Sequence, residues 1–131
     1  MLKHRDLSRK IIKAFYEVYN ELGPGFMESV YENALYIVLR NYGLDVQKQH
    51  PVAVCFRNEI IGDFRADVVV EEKIILELKS VSKIMPEHEA QLINYLKATN
   101  IDIGLLMNFG NKPEFKRFAF DQKRSIRKDP R

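Results

Sequence analysis

Residues 62–81 read GDFRADVVVEEKIILELKSV, and the fold follows from how this stretch pairs with itself. Val68, Val69 and Val70 run into the charged triplet Glu71-Glu72-Lys73, and Ile74, Ile75 and Leu76 run out of it. Branched apolar runs on either side of a short charged turn predict a β-hairpin. Three charges interrupt its strands: Asp67, Glu77 and Lys79. Side chains alternate along a strand, so Ile75, Glu77 and Lys79 share one face while Ile74, Leu76 and Leu78 take the other. A hairpin symmetric about Glu72 sets Asp67 opposite Glu77, with Cβ atoms roughly 4.5–5.5 Å apart.

Two carboxylates placed so close in an apolar sheet repel each other, and a buried charge without a partner costs several kcal/mol. A divalent cation relieves both problems. Mg²⁺ takes oxygen ligands, commonly one or two carboxylates completed by water and a substrate phosphate. Lys79 beside it then orients or activates a water, or holds a phosphate. The plainer reading is an ion pair between Lys79 and one carboxylate, with the other carboxylate solvated.

The 131 residues predict one domain over 1–120 and a basic tail over 121–131. Hydrophobic residues make up 46% and charged residues 30%, as in a soluble globular protein with a two-layer core. In the tail, Lys123, Arg124, Arg127, Lys128 and Arg131 outweigh Asp121 and Asp129, which accounts for the whole net charge of +3. The body is balanced, so charge alone does not mark it as a nucleic-acid binder. Cys55 is the single cysteine. No internal disulfide can form, and the expected location is a reducing cytoplasm. No apolar run reaches the ~20 residues of a membrane helix, and the basic start MLKHRDLSRK lacks the apolar core of a signal peptide.

Around the hairpin, Ile11, Phe15, Val18 and Leu22 predict a helix over 7–22, with Asp6 or Ser8 as its cap, stopped by Gly23-Pro24-Gly25. Tyr31, Leu35, Val38 and Tyr42 predict a second helix over 27–42, ended by Gly43. Glu28 suits the start of that helix and also lies on the stripe leading inward. Glu32, at i+4, reads as a solvated neighbour. Residues 44–56 are extended, with Val46, Val52, Val54 and Phe56 at even positions and Pro51 pointing to a long edge strand or a bend. Pro86 opens a third helix to about Thr99, with Ala90, Ile93 and Leu96 as its packing face and Gln91 and Tyr95 together on one flank. His88 reads as exposed or phosphate-contacting. Strands at 101–109 and 115–120 complete a mixed sheet in the order ααβββαβ(β), with helices flanking it.

Five segments, taken in order, resemble a known family. Gly25-Phe26-Met27-Glu28-Ser29-Val30-Tyr31 has the form G-x-x-E-x-x-Y, and GDFRAD, ELKSV, HEAQLINYLKA and GLLMNFG follow it. Together they are similar, from about Leu7 to Phe118, to the GxxExxY proteins of the PD-(D/E)xK nuclease superfamily. The resemblance implies an α/β fold with a restriction-endonuclease-like αβββαβ core and a Mg²⁺-dependent phosphodiesterase site, with Mn²⁺ as a substitute. Asp67 matches the first acidic metal ligand, Glu77 and Lys79 the ExK pair, and Glu28 the extra acid on the leading helix. Gln91 and Tyr95 match the Q-x-x-x-Y element of the exonuclease branch. Ala66 stands where the superfamily's name has proline, which alters the strand entrance and removes no ligand.

On this reading Asp67, Glu77 and Glu28 hold the metal. Lys79 positions or activates the attacking water, Gln91 orients a ligand water or phosphate, and Tyr95 packs behind it or contacts the backbone. The partner is DNA or RNA, and a core this small without a separate reading domain suggests a homodimer or a protein partner. The rival reading is a binding module that grips nucleic acid or protein without cleaving. A third is a structural dimer joined through the aromatic-rich first helices.

Overall fold

The computed structural model describes residues 3–121. Its elements are α1 (Arg5–Leu22), α2 (Glu28–Asn41), β1 (Val46–Phe56), β2 (Glu59–Val70), β3 (Ile74–Lys79), α3 (Pro86–Ala98), β4 (Ile103–Phe109) and β5 (Pro113–Ala119). The basic tail expected at the C-terminus lies, from residue 122 onward, outside the described residues. The five strands form one sheet in sequence order. All neighbours are antiparallel except β3 and β4, whose parallel pairing is reached through α3. The architecture is the expected α/β one, a mixed sheet with helices on both faces.

The central hairpin has the register read from its sequence: Val68 pairs with Leu76, Val69 with Ile75 and Val70 with Ile74. Glu71 and Glu72 both take left-handed backbone angles, φ 55° and 54°, to turn the chain. Val68, Val70, Ile74, Leu76 and Leu78 face α1 and α2, against Ile11, Phe15, Tyr31 and Leu35. Val69 and Ile75 face α3, against Leu92, Tyr95 and Leu96. Both faces of β3 and β4 are therefore apolar, as a parallel pair covered on both sides requires.

Several local expectations need correction. Neither Asp6 nor Ser8 caps α1. The N-cap is His4 in a left-handed conformation, and the Ser8 hydroxyl is buried without a described partner. The packing face of α3 is Leu92, Tyr95 and Leu96, and Ala90 is exposed. Gly104 sets this phase, because a Cβ there would come within 2.8 Å of Leu92, whose side chain nests onto the bare backbone. His88 caps α3: its Nδ1 accepts the Met85 N–H at 2.9 Å.

The even-numbered valines of β1 do not share one face. Val46 joins the α1/α2 core and Val52 the α3 core. The alternation slips at Gln49, whose φ is 52°. The ladder runs through Lys48–Val68 and His50–Ala66 and skips the intervening Gln49–Asp67 step. A left-handed glutamine is uncommon and costs of order 1–3 kcal/mol, and this one lies beside the residue on which the site turns.

Candidate active site

The site arises where two paired strands part. β2 pairs with β3 only down to Val68–Leu76, while β2 stays beside β1 and β3 continues beside β4 to Lys79–Asn108. The next pair, Asp67 and Glu77, sits at the opening. Its backbone donors are satisfied crosswise by side chains. The Asp67 N–H donates to Glu77 Oε1 at 3.0 Å, and the Leu78 N–H donates to Asp67 Oδ2 at 2.8 Å. The two carboxyls also hydrogen-bond each other. Each acid thus replaces a missing ladder bond with a charge-capable acceptor.

Burial governs their protonation. Glu77 is 2% exposed. Desolvation, then the nearby Asp67 charge, pushes its carboxyl up to about 8. Burial raises Asp67 as well, against the opposing pull of the Leu78 N–H and Lys79. The pair keeps a proton that two exposed acids would release. Tyr95 lies near both, and its hydroxyl is raised by burial and then by the charges of Glu77 and Asp67. Gln91 Nε2 donates to the Tyr95 hydroxyl at 2.9 Å, so these two form one unit on the α3 side of the pair.

Lys79 is half-buried, and its charge acts on both carboxyls. It closes no ion pair with a described residue; the ion pairs found there are Lys3–Asp102 and Lys116–Glu89. The plainer reading, in which Lys79 neutralises one acid, does not hold. The lysine is beside the acids and uncommitted.

From the α2 side the nearer acid is Glu32. It is half-buried, accepts from Gln49 Nε2 at 2.6 Å, and is raised by burial, with a further contribution from the Asp67 charge. It is no solvated neighbour. Gln49 also hydrogen-bonds Asp67, so its left-handed backbone places one amide between two acids of different elements. Glu28 is exposed, one turn earlier, in the cleft lined by Gly25, Phe26, Met27, Ser29 and Ser80. The inward stripe of α2 is Tyr31, Leu35 and Leu39 and does not include Glu28. Gln49 and Glu32 are thus the neighbours that sequence reading missed, and the one signal for them is the i, i+4 acid pair on α2.

Among the described residues, no three His, Cys, Asp or Glu side chains are gathered as a ready-made metal cage. The donor set nonetheless fits a hard cation. Asp67 and Glu77 adjoin each other and offer the carboxylate oxygens that a hard divalent cation takes as ligands.

The metal-free protein should show this in its stability. Between the ordinary glutamate value of 4.5 and about 8, folded Glu77 retains a proton that the unfolded chain releases. The native state then binds more protons, so stability falls as pH rises through that window. The contribution is fully present below the unfolded value, amounts to a few kcal/mol, and is spent by about pH 8. Asp67 adds to it with the same sign. In chelator, the melting temperature should drop from about pH 5 to about pH 8, and Glu77→Gln should flatten the profile. A wild-type melting temperature that climbs across this range would contradict the described pair.

A mixed sheet with helices on both faces, and an Asp, a Glu and a Lys where its antiparallel strands part, defines the restriction-endonuclease-like class of α/β folds. Residues 5–118 match the family model of the PD-(D/E)XK nuclease superfamily, and the chain belongs to it. A solved structure, titled "Crystal structure of SSO0001", resembles it with a TM-score of 0.51 at 15% identity. The alignment covers 72% of this chain and 52% of the other, so the chain spans about half the length of that structure. At this identity the likeness concerns the fold alone. No curated protein matches. No helix among the described residues is long and apolar enough to cross a membrane.

Proposed function

We propose that the chain is a metal-dependent nuclease of the GxxExxY type, hydrolysing phosphodiester bonds with Mg²⁺, for which Mn²⁺ can substitute. The observation that supports this most is the buried Asp67–Glu77 pair with an uncommitted Lys79 beside it. Asp67 and Glu77 would hold a divalent cation, which when bound would supply positive charge against the scissile phosphate and lower the pKa of the attacking water. Lys79 holds that water or a non-bridging phosphate oxygen in line. Gln91 orients the same water or phosphate from α3, and Tyr95 fixes the Gln91 amide. Glu28 adds its charge from the rim of the cleft, through water. Gln49 keeps Asp67 aimed at the opening and ties it to Glu32.

The direct test combines metal titration with cleavage. Millimolar Mg²⁺ or Mn²⁺ should raise the melting temperature, because a cation that binds only the native state stabilises it in proportion to RT ln(1 + [L]/Kd). The same conditions should cleave a mixed panel of single- and double-stranded DNA and RNA. Failure to cleave any of the four, with binding to one of them equal with and without metal, would replace this reading with the non-catalytic binding module.

A further inference from the structure

We infer that the groove beyond Lys79 seats the unpaired bases of a single strand, so the substrate class is single-stranded nucleic acid or a frayed end. The inference rests on the nuclease reading for the position of the scissile phosphate. The groove, about 250 Å³, is lined by three segments, residues 24–26, 80–82 and 109–111. It adjoins the cleft that holds Glu28, sharing Gly25, Phe26 and Ser80 with it. Ser80, which follows Lys79 directly in the chain, lines both, so the groove begins where the strand carrying Glu77 and Lys79 ends.

Two of these segments, 24–26 and 109–111, are held in place by hydrogen bonds. The buried Tyr31 hydroxyl donates to Gly23 O at 2.6 Å and accepts the Phe26 N–H at 3.1 Å. Ser80 Oγ donates to Phe26 O at 2.8 Å. The Tyr19 hydroxyl lies 2.8 Å from the carbonyl oxygens of both Gly110 and Asn111. These contacts explain the final Tyr of the G-x-x-E-x-x-Y motif: it pins the loop that precedes Glu28.

The Phe26 ring meets the Tyr31 ring edge-on, with centroids 6.1 Å apart, and keeps the rest of its surface open to solvent. Phe26 is 45% exposed and Met27 78% exposed. Lys83 and Lys112 are exposed too, each one residue beyond a lining residue, and Lys79 lies one residue before the groove. Aromatic surface among spaced cations is the combination that grips a single strand, with bases stacking on the ring and phosphates meeting the lysines. A duplex offers only base edges in its grooves, because its base faces are already stacked. The rigidity matters as well, since a preformed platform loses little entropy when a base settles on it.

The test is fluorescence anisotropy with a labelled short DNA single strand, its RNA counterpart and a blunt duplex of the same sequence, in Ca²⁺ and separately in chelator. Wild type should bind one or both single strands more tightly than the duplex. Phe26→Ala should weaken single-strand binding roughly 10-fold or more and leave duplex binding unchanged, the loss typical of one stacked base. Phe26→Trp should restore binding, and its indole fluorescence should be quenched by the single strand. An unchanged melting temperature for Phe26→Ala separates lost stacking from lost folding. Duplex binding as tight as single-strand binding, or single-strand binding indifferent to Phe26→Ala, would overturn the inference and leave the nuclease reading intact. Single-strand binding that depends on Phe26, in a protein that cleaves nothing with Mg²⁺ or Mn²⁺, would uphold the groove and defeat the nuclease reading.

Discussion

Lys79→Ala is expected to reduce cleavage by about 10²–10⁴-fold, the range for removing a positioned acid–base or charge-stabilising group. Metal affinity measured by calorimetry should change little, because an ammonium is not a metal ligand. Asp67 variants should behave differently, and the structure dictates which one to make. Asp67→Ala removes the acceptor of the Leu78 N–H as well as a proposed ligand. A buried donor left unsatisfied costs about 1–3 kcal/mol, so lost activity could then reflect lost structure. Asp67→Asn keeps an oxygen for Leu78 and offers its amide N–H to Glu77, relieving the repulsion between the acids. It should be as stable as wild type without metal, or more so, yet bind Mg²⁺ poorly and cleave nothing. Full metal affinity in Asp67→Asn, or near-wild-type cleavage by Lys79→Ala, would remove these residues from the roles proposed for them.

The largest expected loss of stability from a single methyl group is at Gly110. A Cβ built there would lie 2.2 Å from the Val81 carbonyl oxygen and 3.0 Å from the Asn108 amide nitrogen. Neither neighbour is free to move. Asn108 is fully buried, and its side chain clamps Val81 at both ends, accepting the Val81 N–H at 3.0 Å and donating to the Val81 carbonyl at 2.9 Å. Gly110→Ala must therefore break the clamp or push Val81 away. Overpacking of this kind costs about 1–3 kcal/mol, and each orphaned backbone group adds about 1–3 kcal/mol. A melting temperature lower by about 10 °C or more is expected for a domain of this size. Activity should fall further than stability alone explains, because the clamp fixes the chain one residue past Ser80 and so the end of the strand carrying Glu77 and Lys79. Wild-type melting and activity in Gly110→Ala would show that the segment is held by something else.

The central hairpin was legible because composition and spacing agree there. Two branched apolar runs around Glu71-Glu72-Lys73 allow one symmetric register, and that register brings Asp67 and Glu77 together. The topology followed from Pro86 and the helix between two apolar strands. What escaped depends on contacts that no periodicity encodes. The approach of Glu32 to the acids relies on Gln49 adopting a left-handed backbone, a conformation that sequence alone assigns to glycine or asparagine more readily than to glutamine. The phase of α3 was misread because Ala90, Ile93 and Leu96 and the observed Leu92, Tyr95 and Leu96 are both acceptable helical stripes. Gly104, which decides between them, lies on a different element. Glu28 looked inward on the helical wheel, but it occupies the exposed first turn of α2, before the buried stripe begins at Tyr31.

The irregularity at Gln49 has a consequence for how these molecules meet one another. β1 forms one border of the sheet and, at 11 residues, offers a long outward row of backbone groups to any strand of a neighbouring molecule. Such a border invites lateral growth into aggregates unless its regular spacing is broken. Here the break comes twice within three residues: Gln49 turns the backbone out of the extended region, and Pro51 brings no N–H at all. The same distortion that aims an amide at two acids therefore interrupts the row of backbone groups with which a second copy would have to pair along β1. Substitutions that straighten β1 would then lower solubility along with any effect on the site, and the soluble yield of a Gln49 variant carries information that its activity does not.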